Sequence, residues 1–201
     1  MIVNEIFKSI QGEGVHIGKP QIFVRLTGCN LRCSWCDTKY ALEEGTEKSI
    51  SQIVEEVEKI GLKNICITGG EPLLQKEELR ELIRELKKRG YSILLETNGT
   101  FYDKEIFESV GCVSFDIKAP SSNEKSNLDF VKNLKREDFV KIVIADDIDY
   151  EFAKKISGNI QVEVVLQPTE VKNLKKLTEK VLQDNLDVRV LPQLHKIISV
   201  R

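Results

Sequence analysis

The feature that most constrains this chain is a regular alternation of short apolar runs with longer amphipathic segments. Residues 93–95 and 162–166 are apolar at almost every position, which is typical of strands buried on both faces of a sheet. The sequence predicts eight strands, at residues 2–8, 21–26, 64–68, 92–97, 112–116, 139–144, 160–166 and 187–191.

The segments between these strands have helical periodicity. In residues 76–89, four apolar side chains fall on one helical face, with acidic residues in the first turn and basic residues in the last, as the helix dipole favours. Further helices are predicted at residues 51–60, 103–110, 147–157 and 171–183. Strands that alternate with helices predict a parallel sheet with helical crossovers.

Two parallel architectures fit this alternation, an open doubly wound sheet and a curved, barrel-like sheet. A complete eight-fold barrel typically needs about 250 residues, and this chain has 201. Polar or glycine-rich segments follow at least four strands, and the carboxyl ends of parallel strands are where such proteins bind ligands. We therefore expect one domain over residues 1–201, an incomplete parallel β/α barrel with an N-terminal strand segment.

The charge balance and hydropathy limit the partners of this chain. Its 30 basic and 32 acidic residues leave a formal net charge of −2, which argues against binding nucleic acid mainly by bulk charge. No apolar run approaches the 18 residues of a membrane-spanning helix, and the N-terminus does not resemble a secretory signal. We expect a cytoplasmic protein that binds neither nucleic acid nor membrane.

Three of the five cysteines lie close together in a polar loop. Cys29, Cys33 and Cys36 have the spacing C-x3-C-x2-C, and three thiolates on one loop can hold a polynuclear iron site with one iron left open. A structural zinc would need a fourth protein ligand, such as His16 or His195. The spacing favours iron–sulfur over zinc and leaves both possible, whereas Cys66 and Cys112 are predicted to be core residues.

The cysteine loop (residues 28–40) and a later Gly-Gly-Glu-Pro segment resemble the radical S-adenosylmethionine (SAM) superfamily. The resemblance implies a full or partial parallel β/α barrel, three cysteines that hold a 4Fe-4S cluster, and SAM on the open iron. Two adjacent glycines let a backbone approach a ligand closely, and a nearby carboxylate can orient an ammonium group. The SAM-binding residues implied are Trp35, Cys36, Asp37, Gly69, Gly70, Glu71, Thr97, Asn98, Asp116, Lys118 and Gln167.

Within that superfamily, the chain resembles the 7-carboxy-7-deazaguanine synthase family over essentially its whole length. The resemblance is carried by SIQGEG (9–14), FVRLTGC (23–29), CDT (36–38), TGGEP (68–72), ETNG (96–99) and LPQLHK (191–196). It implies a lyase that converts 6-carboxy-5,6,7,8-tetrahydropterin to 7-carboxy-7-deazaguanine with loss of ammonia, in deazapurine (queuosine or archaeosine) biosynthesis. SAM would be regenerated in each cycle.

The same resemblance implies a pterin site and a Mg²⁺ ion held by Thr38. Magnesium accepts few protein ligands when substrate oxygens and waters complete its shell. Arg25 interrupts a buried strand and needs a partner there, for which a substrate carboxylate is favoured over a structural ion pair. The substrate-binding residues implied are Ile10, Gln11, Gly12, Glu13, Arg25, Thr68 and His195.

The resemblance also implies partners, and two other functions remain open at this point. We expect an electron donor such as flavodoxin or ferredoxin, and a homodimer. One alternative is a radical SAM activase that makes a glycyl radical on a partner enzyme, which would need no Mg²⁺. The other is a non-catalytic zinc-binding module, which the near-neutral charge and the Gly69–Gly70 segment count against.

Overall fold

The strands form a single curved sheet in the computed structural model, which describes residues 1–200. In chain order they are β1 (Ile2–Ile10), β2 (Pro20–Leu26), β3 (Thr46–Glu47), β4 (Asn64–Gly69), β5 (Ser92–Thr97), β6 (Cys112–Ile117), β7 (Phe139–Ile144), β8 (Glu163–Pro168) and β9 (Arg189–Val190). The sheet order is β3-β1-β2-β4-β5-β6-β7-β8-β9. The pairs from β2 to β9 are parallel, whereas β1 pairs with β2 and β3 in the antiparallel sense.

This order decides between the two predicted architectures. From β2 onward each new parallel strand is added on the same side of the sheet, so the chain has no reversal of strand order of the kind that creates the crevice of a doubly wound fold. The edge strands β3 and β9 do not pair with each other within residues 1–200. The fold is therefore an incomplete parallel β/α barrel with an antiparallel N-terminal segment, as the sequence predicted.

Most of the α-helices lie in the connections between parallel strands, and the last one follows β9. They are α1 (Ile50–Ile60), α2 (Lys76–Lys88), α3 (Lys104–Ser109), α4 (Asp147–Ser157), α5 (Leu174–Gln183) and α6 (Leu194–Ile197), with short 3-10 helices at Gly14–His16, Lys39–Leu42, Pro72–Gln75, Pro120–Ser122, Leu128–Asn133 and Val171–Asn173. Ser49 and Gln52 form a reciprocal capping box at the start of α1, which satisfies two otherwise unpaired backbone N–H groups. None of the helices within residues 1–200 is long and apolar enough to cross a membrane.

The predicted elements differ from the structure mainly where side-chain periodicity carries no information. The predicted strand at 160–166 starts three residues later, at Glu163, and the first turn of the predicted helix at 171–183 is a 3-10 helix. Sequence reasoning missed β3 and α6, which have two and four residues. Elements this short have too few residues to show a period, so only their pairing or packing defines them.

The strands send alternate side chains to two different cores. The larger core lies between the sheet and the helices, whereas a smaller one, on the inner face, consists of Phe23, Cys66, Leu94, Cys112, Phe139 and Val165. Side chains two positions further along a strand share its face. The inner face therefore continues from this apolar plug to the mainly polar side chains of Arg25, Thr68, Glu96, Ser114, Lys141 and Gln167.

Candidate active site

A cavity of about 690 Å³ opens where the parallel strands end at their carboxyl termini. Its floor is the polar part of the inner face, one wall is the cysteine loop (residues 28–40), and the other includes Ile10 to Glu13 and the C-terminal segment around His195. Nineteen of the residues implied by the sequence resemblance line this one cavity, and two, Glu71 and Gln167, do not. The structure therefore brings together residues that are nearly 190 positions apart in the chain.

The cysteine loop takes its shape from contacts with distant parts of the chain. Its ends are anchored by Gly28, whose N–H donates to the carbonyl of Ala41 at 3.0 Å and whose carbonyl accepts from Glu71 N at 2.8 Å. Further along the loop, Ser34 N donates to Ser122 O at 3.0 Å, and the indole Nε1 of Trp35 donates to Ser121 Oγ at 3.0 Å. The loop is thereby fixed above the end of β6.

The three loop thiols suit a cluster better than a single metal ion. Cys29, Cys33 and Cys36 are free and partly exposed, and all three line the cavity. A structural zinc requires four protein ligands around one point, and no group of three or more His, Cys, Asp or Glu residues in positions 1–200 converges in that way. A 4Fe-4S cluster places its thiolates on different irons, so its ligands are spaced more widely than those of a single ion.

The other two cysteines are structural. Cys66 and Cys112 are buried in the apolar plug, and burial raises the pKa of the Cys112 thiol to about 12. Burial likewise raises the pKa of Cys66 well above its ordinary value. Neither side chain lines the cavity, so these two cysteines are core residues, as the sequence predicted.

The two glycines after β4 allow the cysteine loop to approach the sheet. Gly69 has a φ of 137°, and a Cβ on it would lie 2.1 Å from the carbonyl oxygen of Leu26. A Cβ on Gly70 would lie 1.9 Å from the carbonyl oxygen of Gly28 and 2.9 Å from the Cβ of Cys29. The sequence predicted that these glycines admit a ligand. Both glycines do line the cavity, but a side chain at either position is excluded first by the neighbouring backbone.

The position of Glu71 differs from the expectation that its carboxylate faces the SAM ammonium group. Its carboxylate is fully buried and accepts hydrogen bonds from Thr97 Oγ1, from Asn98 N at 2.7 Å and from Leu73 N at 3.0 Å. It does not line the cavity. Burial raises its pKa to about 7, although these hydrogen bonds act in the opposite direction. Glu71 therefore fixes the end of β5 from behind the cavity wall.

Asn98 joins the end of β5 to the cysteine loop. Its backbone is held by Glu71, while its side-chain Nδ2 donates to Asn30 Oδ1 at 3.0 Å and lies 3.7 Å from Cys29 Sγ. Thr97 and Asn98 both line the cavity although they are more than nine-tenths buried. The buried carboxylate of Glu71 does not touch the cysteine loop. It helps to position the loop through Asn98, which contacts both Glu71 and Cys29.

Asp116 and Lys118 lie at the end of β6 opposite the cysteine loop. Lys118 Nζ is 3.1 Å from Asp116 Oδ2 and 5.2 Å from the centre of the Trp35 ring, which is within the range of a cation–π contact. The second oxygen, Asp116 Oδ1, is buried and has no hydrogen-bond partner within residues 1–200. A buried, unpaired acceptor is costly, so this oxygen is suited to accept a donor from a bound molecule.

Gln167 is the other residue that the structure separates from the cavity. It is fully buried in β8, and neither its amide nitrogen nor its amide oxygen has a partner within the described residues. Sequence reasoning placed it just after the strand, whereas it lies one residue before the strand's end. Buried polar atoms are normally hydrogen-bonded. The amide nitrogen of Gln167 therefore lacks an acceptor, and its amide oxygen lacks a donor.

Across the cavity from the cysteine loop, Gln11 and Thr68 converge on a carboxylate that the sequence patterns did not single out. Gln11 Nε2 donates to Glu96 Oε1 at 3.1 Å, and Thr68 Oγ1 donates to Glu96 Oε2 at 2.7 Å. Beside them, a Cβ on Gly12 would lie 2.0 Å from Nδ1 of His195, and Leu194 N donates to Gly12 O at 2.9 Å. The C-terminal segment therefore packs directly on the predicted substrate-binding segment.

Arg25 already has a protein partner in the structure. Its Nε donates to Glu5 Oε1 at 2.9 Å, and its guanidinium lies over the rings of Phe7 and Tyr40 at 5.6 and 5.8 Å. The sequence favours a substrate carboxylate over a structural ion pair as the partner of Arg25, whereas the structure contains the ion pair. Arg25 nevertheless lines the cavity, so a substrate carboxylate would join an existing pair.

Among the polar residues of this cavity that sequence reasoning missed are Glu96, Lys141 and Gln193. Glu96 belongs to the recognised ETNG segment and Gln193 to LPQLHK, so both could have been found there. Lys141 sits in an otherwise apolar strand, Phe139–Ile144, that is buried at every position. A lysine in such a strand is a signal in itself, since a buried ammonium group needs charged partners.

Comparison with known proteins agrees with the fold and with the cysteine loop. A family model for the Radical SAM superfamily matches residues 23–145. The 7-carboxy-7-deazaguanine synthase of Methanospirillum hungatei is 40% identical over 202 residues, which cover 100% of this chain and 86% of that protein. The enzyme of the same name from Thermoplasma acidophilum is 37% identical, with 98% and 97% covered. The crystal structure of QueE from Escherichia coli superimposes with a TM-score of 0.77 at 23% identity, over 96% of this chain and 94% of that one.

The barrel, the three-cysteine loop and the family match define the class: this chain belongs to the radical SAM superfamily. Within that superfamily, it belongs to the 7-carboxy-7-deazaguanine synthase family, because full-length relatives of that name reach 40% identity. The alternative of a non-catalytic zinc-binding module is therefore wrong.

Proposed function

We propose that this chain is a lyase that converts 6-carboxy-5,6,7,8-tetrahydropterin to 7-carboxy-7-deazaguanine with loss of ammonia, in deazapurine biosynthesis. The observation that carries the proposal is the cavity itself, in which the cysteine loop faces Gln11, Glu13 and Thr68 across a single space. Full-length relatives carry the name of that enzyme. The alternative of a glycyl-radical activase has no such support from named relatives. The polar inner wall, in addition, offers a site for a small heterocycle.

Cys29, Cys33 and Cys36 would hold a 4Fe-4S cluster, and SAM would lie between Trp35 and the strand ends at Gly70 and Asp116. When bound, the cluster and SAM supply the radical that takes a hydrogen atom from the substrate. The chain's own residues then position and shield the reacting groups, as cofactor enzymes generally do. The buried, unpaired Oδ1 of Asp116 supports this arrangement, because it can accept from a ribose hydroxyl.

Thr38 and Asp37 offer a place for Mg²⁺ at the edge of the same cavity. Thr38 Oγ1 donates a hydrogen bond to Asp37 Oδ1 at 3.0 Å, so the hydroxyl oxygen keeps lone pairs with which it could bind Mg²⁺, an ion that prefers oxygen ligands. Lys196 Nζ lies 3.3 Å from the other oxygen of Asp37 and would balance its charge. Substrate oxygens and waters would complete the shell, with Thr38 as the direct protein ligand.

The remaining substrate contacts follow from the cavity wall. Ile10 and Gly12 would bind the heterocycle through their backbone, Gln11 and Glu13 through their side chains, and Arg25 would bind the substrate carboxylate. His195 lies against Gly12 and would close the site from the C-terminal side. We also propose that the enzyme is cytoplasmic and homodimeric, and that flavodoxin or ferredoxin reduces the cluster.

One anaerobic assay tests the proposal. The protein is reconstituted with iron and sulfide and supplied with SAM, a reductant, Mg²⁺ and the carboxypterin. We expect 7-carboxy-7-deazaguanine and ammonia in equal amounts, with more product formed than SAM consumed. Release of one 5′-deoxyadenosine for each product would contradict the regeneration of SAM. Failure of the iron-loaded protein to form the deazaguanine would contradict the proposed function.

A further inference from the structure

A chain of alternating charges crosses the cavity floor, and Lys141 is its centre. Lys141 Nζ lies 2.5 Å from Glu13 Oε2 and 3.3 Å from Asp116 Oδ2. The same Asp116 oxygen is 3.1 Å from Lys118 Nζ. The Lys141 side chain is only 9% exposed, so its charge interacts with these carboxylates at reduced solvent screening. The lysine thus joins the proposed pterin wall to the proposed SAM wall.

Both oxygens of Glu13 already have one protein partner. Oε2 accepts from Lys141, and Oε1 accepts from Gln193 Nε2 at 2.6 Å. An ionised carboxylate offers about four acceptor positions, so each oxygen keeps one more, and the side chain lines the cavity. Burial alone raises the pKa of Glu13, but the attraction of Lys141 and the hydrogen bonds from Lys141 and Gln193 lower it to about 2.

We propose that Lys141 and Gln193 are positioning residues that hold Glu13 as an ionised, two-oxygen acceptor, and that this acceptor selects heterocycles with two adjacent N–H donors. A 2-amino-4-oxopyrimidine ring, the edge that pterins and guanines share, has this pattern in its ring N–H and its amino group. The inference rests on the proposed function and names the residues that determine ring specificity within it.

The same arrangement rejects a ring in which the amino group is replaced by oxygen. In a 2,4-dioxo ring, the carbonyl at position 2 would face a carboxylate oxygen, so two acceptors would meet without a proton between them. Sites built to pair with a donor reject analogues that lack it by large factors, because the protein group is left unpaired. A protonated Glu13 could donate to that carbonyl, so discrimination depends on keeping Glu13 ionised.

The charged groups around Glu13 determine how a change at position 141 acts. Lys141 faces it from β7, His195 acts on it from the C-terminal segment, and Asp116 of β6 and Glu96 of β5 act on Lys141. Without the lysine, burial and the negative charge of Asp116 both favour protonated Glu13. Its pKa then rises, and protonation weakens pterin binding as the pH falls. The His195 contribution is common to both proteins and cancels in the comparison.

The test measures binding of 6-carboxypterin and 6-carboxylumazine, its 2-oxo analogue, to the iron-loaded protein by equilibrium dialysis with SAM present. For the wild-type protein we expect a preference for the pterin of about a hundredfold or more. Lys141→Met should weaken pterin binding about tenfold to a hundredfold, more at pH 6 than at pH 8, and reduce the preference. Lys141→Arg should restore most of both, since its charge remains.

Two further variants separate this role from a loss of folding. Gln193→Leu changes the other partner of Glu13 without touching the sheet, and it should weaken pterin binding in the same direction. Lys154→Met removes a lysine of α4 that pairs with Asp184 at 2.9 Å, outside the cavity, and it should leave both dissociation constants unchanged.

The outcomes distinguish the inference from the function on which it rests. If the wild-type protein binds the pterin but Lys141→Met and Gln193→Leu bind it equally well, or if the wild type accepts both rings alike, the positioning role is wrong while the proposed function stands. If wild-type protein binds neither ring, the proposed function and the inference are both wrong.

Discussion

The cysteine loop and the inner face of the barrel obtain their geometry in opposite ways. Residues 27–36 contain no regular helix or strand, and the loop depends on hydrogen bonds to segments such as Ser121–Ser122, about 90 positions away. The inner face instead inherits its spacing from parallel strands, which fix the side chains at every second residue. The comparison teaches that the cysteine loop is locally weak and externally supported, whereas the inner face, where we propose that the substrate binds, is built into the sheet.

The largest expected effect comes from removing a thiol of the loop. Cys29→Ala, Cys33→Ala and Cys36→Ala should each abolish cluster binding and product formation, because in the proposed cluster each thiolate would hold a different iron. Iron analysis after anaerobic reconstitution should find close to four irons per wild-type chain, the content of one 4Fe-4S cluster.

The buried cysteines provide the matched control for this experiment. Cys66→Ala and Cys112→Ala should keep the iron content, although the loss of packing lowers the stability of the sheet. Equal iron loss in both groups, or a preparation with one zinc and no iron uptake, would contradict the assignment of the loop as the metal site.

A second expected effect is the loss of magnesium dependence in Thr38→Ala. Cluster content and SAM binding should remain near wild type, because neither needs the hydroxyl. Product formation should fall by about a hundredfold, the cost that a small misplacement of the reacting groups can carry. Thr38→Ser should keep most of the activity. Wild-type turnover by Thr38→Ala, with the same response to added Mg²⁺, would make Thr38 an ordinary loop residue.

A third, intermediate effect concerns Glu71, which connects the two regions. Its pKa is raised from 4.5 to about 7 in the folded protein, so the native state binds a proton more tightly than the unfolded chain does. Its contribution to stability is therefore fully present below about pH 4.5 and is lost as the pH rises through 7. The difference amounts to about 3 kcal/mol.

Glu71→Gln should remove this pH dependence, because an amide does not titrate in that range. The measurement is the unfolding temperature of both proteins between pH 5 and pH 8, compared at each pH so that other titrating groups cancel. We expect the wild-type curve to fall with rising pH relative to the variant. Two parallel curves would show that Glu71 does not titrate in this window.

The smallest expected effect is that of Trp35→Phe, which keeps the ring but removes the hydrogen bond to Ser121 Oγ. Loss of one such bond costs about 1 kcal/mol, so SAM binding should weaken by less than about tenfold while the cluster is retained. Trp35→Ala, which also removes the ring facing Lys118, should have the larger effect. Equal dissociation constants for SAM in all three proteins would show that the ring does not contact the cofactor.

The sequence by itself determined the features that local patterns encode. The alternation of apolar runs and helical segments predicted the parallel sheet, with the bounds of β5, β7 and α4 as the structure has them. The spacing of Cys29, Cys33 and Cys36 predicted a metal site, because it depends only on neighbours in the chain. The family resemblance then predicted most of the residues that line the cavity.

Only the tertiary structure decided what depends on the relative placement of distant strands. It placed Glu71 behind the cavity wall and Gln167 outside the cavity lining, although both stood at positions expected to bind SAM. It also joined Lys141 to Glu13, 128 positions apart in the chain. The physical reason is that sheet register and curvature determine which inner-face side chains meet, and both depend on how strands distant in the chain pair and pack against each other.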